Sequence, residues 1–355
     1  MFYSCLNSKA DRPKAHAGKY LLRLALSLLV GSSVRASGQS CQAGEELETP
    51  MRTSLEAAAL QFFGFAAKGD AAGLRSFAIP SVADNYSGIA AAVQDNQAAL
   101  GQAKPKVRSE FLMTAAGDAP LDRVEFLCGV FGKLGQTSSS AVFTLNNLPP
   151  GKYGVVILDA GTDVPAKPAV LDDARQAVAF ILQDVSGVWK LGGFYVKPTL
   201  AAGHDSGWFA EQARAFAAKG QAHNAWYYFL EARNLASVVP FMSTRETDRL
   251  YDEAQKVASA DGPDGIPSDL TGAGKQYKIK SAFAYGVAGE VNLVVKYEAS
   301  DVSDTVKAYA DNQAVAKALV TKWPELRDGF GAIVARATEA SGRDFGTLVE
   351  IKSLK

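Results

Sequence analysis

An α+β protein in three parts is predicted, on two observations of period and one of composition. From Thr53 to Leu100 apolar residues recur every three or four positions, whereas from Lys106 to Val196 they alternate within short runs. A second helix-rich stretch follows, and a Gly-, Pro- and Asp-rich segment at 261–275 sets off a last region of strands and helices at 276–355.

The first 36 residues read as a signal peptide. Lys9, Arg12, Lys14, Lys19 and Arg23 precede the apolar run 24–34, and Val34 and Ala36 take the −3 and −1 places of a cleavage site before Ser37. A run of this length does not span a bilayer core of roughly 30 Å, so no transmembrane anchor is expected after cleavage. Cys41 has no lipobox before it, since Gly38, Gln39 and Ser40 lack the apolar residue that motif requires. Beyond residue 36 there are 31 basic and 36 acidic side chains, a net of −5 without a basic cluster, which gives no electrostatic case for nucleic acid. The expected location is periplasmic or extracellular.

Residues 37–50 are polar, end in proline and read as a mobile leader. Leu55, Ala58, Ala59, Phe62, Phe63 and Ala66 define a first helix, Gly69 and Asp70 end it and cap the next, and that second helix is expected to run through Leu74 and Phe77 to Pro80. A further helix covers 89–100. Strands are expected at 106–114, 123–131, 139–145, 152–159, 177–184 and 188–196, with a hairpin turning at Pro149, Pro150 and Gly151. In the last strand Val188, Phe194 and Val196 are assigned to one face and Trp189, Leu191 and Tyr195 to the other, with Gly192 and Gly193 permitting a bend.

Helix, "KGD" turn, second helix, curved sheet and closing WKLGGFYV resemble the NTF2-like (SnoaL-like) superfamily over residues 51–200. The strands outnumber those of a minimal member, and the segment GTDVPAKPAVLDDA is long, as an inserted hairpin would make it. The resemblance implies a cone between helices and sheet, and a family that hosts enzymes, binders and scaffolds alike. Members that catalyse place Asp, Tyr or His in that cone, and Asp84 and Tyr86 lie roughly where such groups stand; the same residues also suit an ordinary capping loop. Phe63, Phe77, Tyr86, Phe111, Phe126, Trp189 and Phe194 either line a ligand cavity or fill a core. NTF2-like domains often pair through their sheets, so a homodimer is an implied state.

Residues 203–260 contain one helical hairpin similar to a tetratricopeptide repeat, with Ala213, Phe216, Gly220, Ala225, Phe229 and Ala232 at its packing places and a third, charged helix after it. One repeat does not make a solenoid, so a bridge between domains is expected. Trp226, Tyr227, Tyr228 and Phe229 run round the helix, and at least one must face another part of the protein. In the C-terminal region, strands flank a turn at Gly286–Gly289, Asp304 caps a helix to Val320, Pro324 opens another through Ala340, and FGTLVEIK closes as a strand.

Several chemistries lack their residues. With Cys5 in the signal, Cys41 and Cys128 remain: they either pair, tethering the N-terminal segment to the sheet, or stand apart as a loose thiol and a buried hydrophobe. His204 and His223 have no ligand-spaced partners, so no metal is expected. Neither a GxSxG elbow nor a phosphate loop follows a strand, and no cofactor is implied. The reading is an exported, non-catalytic binding or scaffolding protein of the cell envelope, with a protein or a small apolar ligand as partner. The alternative is an enzyme or apolar-ligand carrier using the cone.

Overall fold

Helix α1 (Thr49–Ala67) begins with Pro50 in its first turn and buries Leu55, Ala59, Phe62, Phe63 and Ala66, the stripe its period predicts. Gly69 takes a left-handed φ of 71°, and the Asp70 carboxylate accepts from the Gly73 amide at 2.8 Å to start α2 (Ala71–Arg75). The expected long second helix stops there. Phe77 and Ile79 instead run alongside strand residue Leu191, accepting from and donating to it at 2.8 and 3.0 Å. Two more helices, α3 (Pro80–Ala83) and α4 (Ser87–Leu100), complete this layer. The computed structural model describes residues 38–129, 140–161, 175–258, 269–287 and 289–354, so the signal at 1–36 lies outside the described residues.

The strands in chain order are β1 (Ser40–Ala43), β2 (Lys104–Ala115), β3 (Leu121–Cys128), β4 (Ala141–Leu148), β5 (Gly151–Gly161), β6 (Gln176–Val185) and β7 (Val188–Pro198). Five form an antiparallel sheet ordered β1-β2-β5-β6-β7. Most of the leader is therefore not mobile: β1 pairs with Phe111–Thr114, Leu47 is buried, and a disulfide joins Cys41 to Cys128. The glycine pair in β7 is a bulge. Pairing steps from Ile181 with Gly193 to Leu182 with Leu191, leaving Gly192 over, and this extra residue reverses the alternation. Trp189 and Leu191 before the bulge, and Phe194 and Val196 after it, thus all face the helices, while Tyr195 faces the other way. The expected split of these residues between faces is corrected accordingly.

The hairpin expected at Pro149–Pro150 does not exist. Neither proline has an N–H to donate, and the chain crosses there between sheets: β5 joins the five-stranded one, whereas β4 pairs with β3 and with β8 (Met242–Thr244). This three-stranded sheet packs over the face of the larger sheet opposite the helices, with Phe111 and Phe143 edge to face at 5.0 Å.

Helices α5 (Ser206–Ala218), α6 (Ala222–Ala236) and α7 (Arg245–Val257) follow, and β8 enters the small sheet from between the last two. The C-terminal sheet is ordered β13-β12-β11-β10-β9, from β9 (Asp269–Gly272), β10 (Lys275–Val287), β11 (Glu290–Glu298), β12 (Ala332–Thr338) and β13 (Asp344–Glu350). Helix α8 (Thr305–Lys322), capped by Asp304, carries the chain from β11 to the parallel β12. Two expectations fail here. The second half of the linker is sheet, since β9 and the start of β10 occupy 269–275; residues 259–268 lie outside the described residues. The helix opened by Pro324 is only α9 (Leu326–Gly329), because Gly329 and Gly331 break it and AIVARAT then alternates buried and half-buried as a central strand. Bridge and C-terminal sheet share one hydrophobic core.

The tightest backbone approach is at Gly286 of β10, where an added Cβ would stand 2.3 Å from the Ala202 nitrogen, with no side chain able to give way. Gly286→Ala should lower stability by about 3 kcal/mol. Gly346→Ala on β13, whose Cβ would meet only the Arg336 side chain at 3.5 Å, should cost little; urea melts of both variants check the contrast.

Candidate functional site

The residues singled out from the sequence separate in space. Asp84 is exposed at the end of α3, whereas Tyr86 is buried, with the Arg75 guanidinium 6.0 Å from its ring centroid. Burial pushes the Tyr86 phenol up to about 12, and its oxygen has no hydrogen-bond partner among the described residues. A carboxylate in solvent and a phenol in the core share no enclosed site.

The seven aromatic pocket candidates also divide. Phe63, Phe77, Tyr86, Trp189 and Phe194 belong to the helix side of the sheet, and Phe111 and Phe126 to the opposite side. The sheet itself lies between them, so they cannot line one cavity. On the helix side the space is filled by rings: Phe62 meets Phe77 at 5.4 Å and Phe180 at 6.0 Å, and Phe180 meets Phe194 at 5.3 Å. Trp189 closes the rim, half-buried, its indole N–H donating to the Ser54 hydroxyl of α1 at 3.0 Å.

Among the described residues, clefts open elsewhere. One, of about 820 Å³, lies between α5, α6 and α7 and is walled by Arg214, Phe229 and the α7 stripe Arg245, Asp248, Arg249, Asp252 and Lys256. Arg214 grips Glu253 through two nitrogens at 2.7 and 3.0 Å, which holds that carboxyl below its ordinary range. Another, about 330 Å³, lies beside Glu290, Arg327 and Lys352.

The densest chemistry is a half-buried network where β7 meets the C-terminal end of α6, with Glu231 its one buried member. The Lys197 ammonium donates to the Asn234 side-chain oxygen at 2.7 Å, to the Ser237 carbonyl at 3.0 Å and to the Asn234 carbonyl. A cation is well placed there, because the last carbonyls of a helix lack partners and carry its negative dipole end. The Asn234 amide in turn donates to Glu231 Oε2 at 3.2 Å. Lysine and glutamate therefore communicate through one carboxamide. Burial lowers the Lys197 ammonium to about 8 against the attraction of Glu231, and burial raises Glu231 to about 7 against the opposing pull of Asn234 and Lys197.

No sequence motif marks these three residues. One signal was present: Glu231 is the single acid within the aromatic-rich helix WYYFLEARNLA, and Asn234 stands three residues on, hence on the same face. Lys197 carried none, because a strand-end lysine is ordinarily solvated.

A carboxyl whose proton is held more tightly folded than unfolded stabilises the fold fully below the ordinary range and loses that contribution as pH rises through the folded value. The fold should therefore weaken between pH 4.5 and about 7 on account of Glu231. Urea midpoints across that window should fall in the wild type and lose this slope in Glu231→Gln; an equal slope in both would remove Glu231 from the account.

No protein-family model, curated protein or solved structure matches this chain.

Proposed function

We propose that this is an exported, non-catalytic binding or scaffolding protein of the cell envelope, built from an NTF2-like unit and a TPR-like hairpin welded to a C-terminal α+β unit. The observation that carries the reading is the ring-filled concave face, where Phe62, Phe77, Phe180 and Phe194 take the space a ligand or substrate would need. A filled cone supports a scaffold over an enzyme or a carrier of apolar molecules. The mixed-sign groove between α5 and α7 is the concave surface best suited to a polypeptide, since alternating Arg245, Asp248, Arg249 and Asp252 can pair with a chain carrying both charges. Among the described residues, α1 to α4 cover one face of the five-stranded sheet and the three-stranded sheet covers the other, which leaves no open face through which two copies would pair.

Export is supported by the disulfide, whose Cys128 sulfur is fully buried and which suits an oxidising compartment. The bond closes a span of 87 residues, and the double variant Cys41→Ser, Cys128→Ser should lose about 4 kcal/mol in chemical denaturation. Recovery of the native protein from the cytoplasm with both thiols free would sink the compartment.

The filled cone is tested by melting the wild type against a panel of apolar ligands, which should leave its Tm unchanged. Phe180→Ala opens the same space and should cost about 3 to 5 kcal/mol. A ligand that raises the wild-type Tm in proportion to its concentration would restore the carrier reading.

A further inference from the structure

The contact between Lys197 and Asn234 brings a primary amine to a carboxamide, with a carboxyl group beside the nitrogen that would leave. The amine nitrogen is 2.7 Å from Asn234 Oδ1, which puts it within about 4 Å of Cγ given a C=O bond of roughly 1.2 Å. On the other side, Glu231 Oε2 is 3.2 Å from Asn234 Nδ2. Two further carbonyls, of Asn234 and Ser237, hold the amine in place. Glu231, Ala232, Leu235, Val238 and Val239 around the contact are buried, while Lys197 and Asn234 themselves are half-buried.

We propose that Lys197 and Asn234 join in an intramolecular isopeptide bond, made by the chain itself with Glu231 as its catalytic acid and base. In the first step the neutral Lys197 amine attacks Asn234 Cγ, forming the Nζ–Cγ bond and a tetrahedral centre. Once bonded to Cγ, Nζ sits on the same carbon as Nδ2, which Glu231 contacts at 3.2 Å, and it gives up one proton to the Glu231 carboxylate there. Glu231 then returns a proton to Nδ2, the Cγ–Nδ2 bond breaks, and ammonia departs. An amine and a primary amide become a secondary amide and ammonia, Glu231 ends as it began, and no oxidant or co-reactant is used.

Two conditions make this chemistry unusual for ordinary Lys–Asn contacts, and both hold here. Attack needs the amine without its proton, and departure of ammonia needs an acid at hand; burial moves both groups toward those forms, lowering Lys197 and raising Glu231. The second condition is lasting proximity. Fixed on a strand end and a helix end, the partners meet at a high effective concentration for the life of the fold, so even a slow reaction goes to completion. Lys275 offers the contrast, since its ammonium pairs with the Asp311 carboxylate and has no carboxamide to attack.

The experiment is an intact mass of the folded, full-length protein, compared with Lys197→Arg prepared alongside. Measured after reduction, the wild type should fall short of the mass of its processed sequence by one ammonia, and Lys197→Arg should not. Digestion after denaturation and reduction should release one branched peptide holding both Lys197 and Asn234. Hydroxylamine, which opens a succinimide, should leave it intact. Glu231→Gln, shown folded by circular dichroism, should cross-link at least about a hundredfold more slowly. Full mass in folded wild type after prolonged incubation at neutral pH, with Lys197 open to acetylation in the denatured digest, overturns the proposal. So does an ammonia loss that maps to a single unbranched peptide. A Glu231→Gln variant that cross-links at the wild-type rate removes Glu231 from the catalytic role.

Discussion

Helix α6 is the constraint on which the rest depends. Ten of its fifteen residues are buried, which leaves no face for solvent and forces three parts of the chain to pack around it. Its first turns belong to the C-terminal unit: His223 Nδ1 meets Glu325 Oε1 at 2.7 Å, Asn224 donates to the Glu325 carbonyl, and the Tyr228 hydroxyl donates to that of Gly329. Its last turn belongs to the N-terminal unit through Lys197. Tyr228 alone touches Phe209, Phe216 and Phe330, so one ring joins α5, α6 and the approach to β12. A helix held at both ends by different sheets transmits displacement between them rather than absorbing it.

Buried polar groups concentrate at junctions rather than in a pocket. Asn312 of α8 accepts from Tyr297 and donates to Phe345 and Thr347, fastening that helix across its sheet. The Lys197 network does the same between β7 and α6. Such groups are costly when left unpaired, so each network admits one docking geometry and rejects near alternatives. Where rings fill the space between helices and sheet, the polar residues lie instead at the contacts between elements.

The period of the sequence located most elements, because helix and strand burial are local patterns. Strands β2, β3, β5, β6 and β7 fall where alternation placed them, and α1 carries its expected stripe. The failures are long-range. Only pairing partners could show that the chain changes sheets at Pro149 and Pro150, or that AIVARAT, short and apolar like a helix face, sits in the middle of a sheet beside β11. The bulge was legible as a glycine pair but not as a reversal of faces, since one extra residue moves every later side chain across the sheet. The aromatic candidates were recognised as buried, yet Phe111 and Phe126 could not be assigned a side without the β1 to β3 connection. The Lys197, Asn234 and Glu231 cluster joins residues on separate elements, and its strand-end lysine carried no pattern to follow.

The small sheet is completed late. Strand β4 ends at Leu148, but the segment that covers its free edge, Met242–Thr244, arrives about a hundred residues afterwards, beyond two helices. During synthesis, the N-terminal unit must wait with an unpaired edge of Ala141, Val142 and Phe143 exposed to any other extended chain. Once α6 has docked and β8 follows it into place, that edge closes. The bridge is thus also the stopper of the sheet it leaves, and a chain cut after β7 would keep an adhesive strand that the intact protein conceals.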